Sequence, residues 1–97
     1  MVIWAPRAIL DLREAWDYIA ADSEAAADRV VARLQSAGEG LDRFPRIGRK
    51  GRRSDTRELV VTGTPYILEY RVGRSRIEIT RVIHGARKWP PDRHRSA

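Results

Sequence analysis

The chain has no cysteine among its 97 residues. That excludes a disulfide framework and any thiolate metal site, and it fits a reducing compartment. Histidine is nearly as scarce: the two present stand at no ligand spacing, so neither a metal nor another cofactor is expected. No apolar run approaches the roughly 20 residues that span a bilayer. The opening Met1-Val2-Ile3-Trp4 lacks a basic stretch followed by an apolar one, so no signal peptide is read there. A cytoplasmic protein without membrane association is the expectation. At this length the chain is expected to form one domain, residues 1–97, burying about 60–65% of its unfolded surface. No internal repeat and no linker divides it.

What the chain has in excess is arginine: of 19 basic residues, 17 are Arg and two are Lys. The net charge of +6 is unevenly spread. Through Asp42, four Arg face eight acids, a net of −4; from Arg43 onward, fifteen basic residues face five acids, a net of +10. A basic half-molecule suits an anionic partner such as nucleic acid, a ribosome or an acidic protein segment. The abundance of Arg and Ala also fits GC-rich coding, a bland origin for part of the excess.

Three runs, 56–61, 66–72 and 76–83, are rich in β-branched and aromatic residues. Thr62-Gly63-Thr64-Pro65 and Gly73-Arg74-Ser75 supply turns between them. Links this short require antiparallel pairing, hence a three-stranded meander. Tyr66, Leu68, Tyr70 and Val72 should share the face toward the helices, with Ile67, Glu69 and Arg71 opposite. In the last strand Ile77, Ile79, Arg81 and Ile83 should alternate with Glu78, Thr80, Val82 and His84.

Upstream, Val2-Ile3-Trp4 reads as a short strand. Pro6 then opens a helix to about residue 21, with Ile9, Leu12, Trp16 and Ile19 as its apolar stripe and Asp11, Glu14 and Asp17 off it. Asp22-Ser23 breaks that helix and caps the next. The second helix carries Ala27, Val30, Leu34, Ala37, Leu41 and Phe44 and stops before Pro45. Gly38 and Gly40 in its last turns either permit close packing or fray. The whole predicts an α+β fold, β-α-α-β-β-β, a helical hairpin on one face of a small, mostly antiparallel four-stranded sheet. Residues 45–55 read as a basic loop, either a solvated connection or a contact surface; they match no phosphate-binding motif. Residues 92–97 read as a frayed tail.

Chemistry is thinly signalled. No elbow motif supports Ser-His-Asp catalysis. Metal-free RNA cleavage needs a base, an acid and cations for the phosphate. His84, with Arg57, Arg81 and Arg87 as cations and Glu58 or Glu78 as second proton carrier, is one candidate set. The alternative is a hydrogen-bonding structural histidine at a strand end. Trp89 is placed either for base stacking or as a lid on the core.

Taken in order, the motifs are Leu41, Pro45, Gly48 and Arg49 at the end of the hairpin, then Arg57-Glu58-Leu59-Val60. Pro65-Tyr66-Ile67 with Tyr70-Arg71-Val72 follows, and last come Ile77, Ile79 and Arg81-Val82-Ile83-His84-Gly85-Ala86-Arg87, with Trp89-Pro90. This series, across residues 2–90, resembles the RelE/ParE superfamily of bacterial type II toxins, specifically its ParE branch. The resemblance implies a growth-inhibiting toxin that acts on DNA gyrase by protein–protein contact. It implies a cognate ParD-like antitoxin whose acidic C-terminal segment folds onto the toxin and which carries most of the DNA binding. Contacts to target or antitoxin are expected from Arg49, Arg57, Arg81, His84, Arg87, Lys88 and Trp89, with no catalytic residue. The RelE branch, which cleaves mRNA on the ribosome, is the alternative, with Arg57, Arg81 and His84 as its catalytic set. The strands expected here contain no lysine and no tyrosine follows the last of them, departures that favour ParE.

Overall fold

The computed structural model describes residues 1–86 and 88–91. The elements are β1 (Val2–Trp4), α1 (Pro6–Ala20), α2 (Glu24–Gly40), β2 (Arg49–Lys50), β3 (Arg57–Val60), β4 (Tyr66–Val72) and β5 (Ile77–His84). They form a helical hairpin packed on an α+β sheet ordered β1-β5-β4-β3-β2. β1 pairs parallel with β5, and every other neighbour is antiparallel. The sheet thus has five strands, not four. The extra one is Arg49–Lys50, inside the stretch read as loop; two charged residues carry no strand pattern, and they are extended only because Glu58 and Arg57 pair with them.

The helical hairpin forms for local reasons. Pro6 occupies the first turn of α1, where its missing N–H has no intrahelical partner. Ser23 caps α2 by accepting from Ala26 N–H at 3.1 Å. Trp16 Nε1 donates to Asp28 Oδ1 at 2.8 Å and ties the two helices together. Gly38 is buried, and a Cβ there would collide with the Trp4 ring and lie 2.8 Å from Ile79 Cδ1. Close packing, not fraying, is therefore its role.

The helix-facing core follows the expected β4 face. Tyr66 and Leu68 pack with Ala15, Leu34 and Val82, and Tyr70 packs with Ala8, Leu41 and Ile79. Tyr70 also anchors the chain after α2: its hydroxyl accepts from Gly48 N–H and donates to Pro45 O, both at 2.9 Å. A Cβ on Gly48 would sit 2.6 Å from that hydroxyl, so the approach requires glycine.

Three expectations about faces are corrected. In α1 Leu12 and Ile19 of the expected stripe pack half-buried against the core, but Ile9 is exposed and the fully buried positions are Ala8, Asp11 and Ala15, small or paired residues that let the helix approach β5. Phe44 is exposed because α2 ends one turn early, at Gly40, with Leu41 as its buried cap. In β5 the simple alternation fails. Glu69 pairs with Arg81 and Tyr70 with Ile79, so Thr80 is an extra residue, a bulge. Ile77 and Ile79 face the helices before it and Val82 does so after it, whereas Ile83 joins Ile67 and Trp89 on the opposite face.

Candidate functional site

The face of the sheet away from the helices is closed by the basic loop. Glu58 on β3 and Glu69 on β4 stand opposite each other on this face, and both carboxylates are fully buried. Two like charges side by side in an interior require counter-charges. The loop supplies them. Arg52 forks onto Glu58 through Nε (3.1 and 3.2 Å) and Nη2 (3.0 Å), its backbone N–H adds a bond at 2.9 Å, and Arg49 Nη2 reaches Oε1 at 3.2 Å. Arg53 forks onto Glu69 through Nε at 2.9 Å and Nη2 at 2.5 Å. Thr80 Oγ1 and Trp89 Nε1 also donate to Glu69, at 2.6 and 3.0 Å.

These partners set the protonation states. Burial pushes the Glu58 carboxyl up, but the bonds from Arg52 and Arg49 outweigh it and hold the group below the usual carboxylate range. Burial opposes Arg53, Thr80 and Trp89 at Glu69 in the same way, with the same downward result. The bond to Glu69 in turn raises Arg53. Both acids are therefore held ionised as the structural floor of the face. Both Glu58 oxygens already accept from Arg52, and Oε1 also from Arg49, which argues against a proton-carrying role.

Trp89 lies over this floor, 6% exposed, against Ile67 and Ile83. The guanidinium of Arg81 is 4.7 Å and that of Arg53 5.2 Å from its ring centre. Trp89 is thus a lid on a second, small core and not a stacking platform. Arg81 passes around the β5 edge to Asp11 of α1, with Nε at 2.8 Å from Oδ2. Asp11 also accepts from Val82 N–H at 2.9 Å and pairs with Arg7 at 3.2 Å. β1 pairs with β5 only from Ile77 to Ile79. Beyond it, the Asp11 side chain replaces a neighbouring strand for the exposed β5 edge.

The sequence-predicted residues divide between two faces. Arg49, Arg81 and Trp89 lie on the face away from the helices, and Lys88 is exposed beside Trp89. Arg57 pairs with Tyr70, so it faces the helix side, where its Nη1 donates to Gly48 O at 2.8 Å. His84 is likewise on the helix side, edge-on to Tyr66 at 5.3 Å, with Nδ1 accepting from Ala86 N–H at 3.1 Å. It lines a groove of about 580 Å³ with Asp11, Glu14, Tyr18 and Tyr66. Arg57 therefore stands apart, on the Gly48 loop, whereas Arg81 binds Asp11, one wall of the His84 groove. Arg87 lies outside the described residues. Among the described residues no three His, Asp or Glu side chains gather as metal ligands, and no helix is long and apolar enough to cross a membrane. Sequence reasoning passed over Glu69, Arg52, Arg53 and Asp11. One signal was available: an acid on the inner strand of a meander, beside a run of arginines, demands a cationic partner.

The chain is a β-α-α-β-β-β-β domain with an arginine loop clamped onto its sheet, and comparison with known proteins gives its class. The family model described as "ParE toxin of type II toxin-antitoxin system, parDE" matches residues 2–89. The chain is 45% identical over 87 residues to Y4kP of Sinorhizobium fredii, covering 90% of each. It is 40% identical over 86 residues to "Toxin RelE2" of Caulobacter vibrioides, covering 89% of this chain and 96% of that one. In fold it is similar to a solved structure described as "Chromosomal ParDE TA system from P. aeruginosa", with a TM-score of 0.78 over 86% of this chain and 92% of the other at 22% identity. The chain belongs to the ParE toxin family: it is a type II toxin–antitoxin toxin of the RelE/ParE superfamily.

Proposed function

We propose that this toxin arrests growth in the cytoplasm by binding DNA gyrase through protein–protein contact, and that a ParD-like antitoxin with an acidic C-terminal segment neutralises it. One observation carries the reading. The residues that would form a ribonuclease centre are each engaged by the fold: Arg57 by a loop carbonyl, away from the other two, Arg81 by Asp11 and Trp89, and His84, through Nδ1, by Ala86 N–H. An arginine-rich face with Arg49 and Lys88 at its surface suits docking on a protein more than cradling a scissile phosphate. Arg49, Arg57, Arg81, His84, Arg87, Lys88 and Trp89 remain the proposed contacts, and Arg81 and Trp89 act by holding the face in shape.

Ribosome-dependent mRNA cleavage is the second reading. The groove that places His84 beside Glu14 and Tyr66 is what favours it. The deciding test is induction of the chain in a sensitive bacterium with thymidine and methionine incorporation followed in parallel. Early loss of thymidine incorporation, with inhibition of supercoiling by purified gyrase, is expected. Early loss of methionine incorporation while DNA synthesis continues would overturn the gyrase reading in favour of cleavage.

A further inference from the structure

The segment between α2 and β2 is a knob held rigidly by the sheet. Phe44 O accepts from Ile47 N–H at 3.2 Å, closing a turn with Pro45 at its second position, where a fixed φ suits it. The fully buried Tyr70 donates its hydroxyl to Pro45 O at 2.9 Å. Arg57 Nη1 donates to Gly48 O at 2.8 Å and reaches Arg46 O at 3.4 Å. The side chains that this scaffold displays are nonetheless apolar. Phe44, the one phenylalanine of the chain, is 59% exposed, and Ile47 is 62% exposed. Cations flank them. The Arg43 guanidinium lies 5.9 Å from the Phe44 ring centre. Arg46 is the third residue of the turn, and Lys50 pairs with Arg57, which puts it on the side of the sheet that holds the turn. Arg43, Arg46 and Lys50 have no acidic partner among the described residues, and Asp42, next in the chain, is taken by the Met1 amino group.

We propose that this knob anchors the toxin on its target: Phe44 and Ile47 enter an apolar socket on a folded protein, and Arg43, Arg46 and Lys50 meet carboxylates at the rim of that socket. The inference rests on the reading of the chain as a toxin that acts by protein–protein contact. Interfaces draw most of their energy from a few anchors seated in pockets and enclosed by a polar rim. A turn already fixed by Tyr70 and Arg57 gives up little freedom when it binds. Its convex shape selects the partner. A disordered acidic segment needs a groove or a strand edge to lie in, so a projecting knob suits a folded protein that supplies the concavity itself. Single-stranded nucleic acid stacks its bases on successive aromatic faces. Here there is one ring, Arg43 lies over one of its faces, and Ile47 offers no π face.

Two double variants separate anchor from rim: Phe44→Ser with Ile47→Ser, and Arg46→Glu with Lys50→Glu. All four side chains are exposed, so each variant is expected to melt within about 5 °C of wild type. Purified gyrase is the probe, read by binding and by inhibition of supercoiling, with antitoxin affinity measured alongside. The anchor variant is expected to lose gyrase affinity about 30-fold or more, and growth arrest with it. The rim variant is expected to lose about tenfold and to show a weaker dependence on salt. Both keep antitoxin affinity within about twofold of wild type. In the wild-type complex with gyrase, slower amide exchange is expected at Arg43, Phe44 and Arg46, and unchanged exchange there overturns the docking site whatever the variants do. A folded anchor variant that inhibits within about twofold of wild type also overturns it and leaves the gyrase reading intact. So does loss of antitoxin affinity in step with loss of gyrase affinity, or a knob that binds single-stranded RNA more tightly than gyrase. A wild-type chain that neither binds nor inhibits gyrase overturns that reading and this inference with it.

Discussion

Replacing Glu69 by Gln tests whether the buried acids hold the basic loop to the sheet. The side chain keeps its shape and loses its charge. Arg53 then has no counter-ion, and one of its two N–H groups, together with either Thr80 or Trp89, meets an NH₂ group where it met an oxygen. Removing one partner of a buried ion pair costs about 3–5 kcal/mol. The Arg53 side chain retains 35% exposure, so water partly solvates the orphaned guanidinium and the lower end, about 3 kcal/mol, is expected. For a domain of this size each kcal/mol lowers Tm by about 4–8 °C, which gives a drop of about 12–24 °C. Circular dichroism melts and urea unfolding of the refolded chain measure it directly. Arg53→Met, alone and combined with Glu69→Gln, closes a double-mutant cycle, and a coupling above about 1 kcal/mol is expected. A loss below about 1 kcal/mol for Glu69→Gln, with no coupling, would refute the argument. The arginines would then be screened surface charges and the loop would be held by its backbone alone.

The depressed carboxyls also fix a pH dependence. Glu58 and Glu69 titrate below their unfolded value of 4.5, so their stabilisation is complete above that value and is lost as pH falls through the lower folded-state values. The urea midpoint should be flat from pH 7 to about 5 and should decline steeply below, and Glu69→Gln should flatten that decline. Trp89→Phe keeps the apolar lid but deletes the donor to Glu69, an expected loss of about 1–3 kcal/mol read from the same melts. Gly38→Ala should destabilise by about 1–3 kcal/mol through overpacking on Trp4 and Ile79, although alanine is the better helix former. A stabilised Gly38→Ala chain would show that the Trp4 ring moves freely.

Much of the architecture was legible because it rests on local rules. β4 runs from Tyr66 to Val72 as its alternation and flanking turns require, and Pro6 and Ser23 start the two helices where their chemistry places them. Three of the errors share one cause. Arg49–Lys50 became a strand, Thr80 became a bulge and Asp11 became buried because of a neighbour on another element: Glu58, Glu69 and Arg81. None of these partners is within hydrogen-bond reach until the sheet has formed.

The candidate site divides along the same line. Residue type and order alone carried the α+β class, the helix-facing core of β4, the segregation of positive charge and the family. They also put arginines, a histidine and a tryptophan on the late strands and their flanks. Which of those cations are neutralised, on which face they lie and which edge of the sheet stays open depended on pairing in three dimensions. Charge is a property of a residue, readable one position at a time; its availability depends on the distance to an opposite charge. That distance, between β3 and β4 and the arginine loop folded over them, exists only in the assembled sheet.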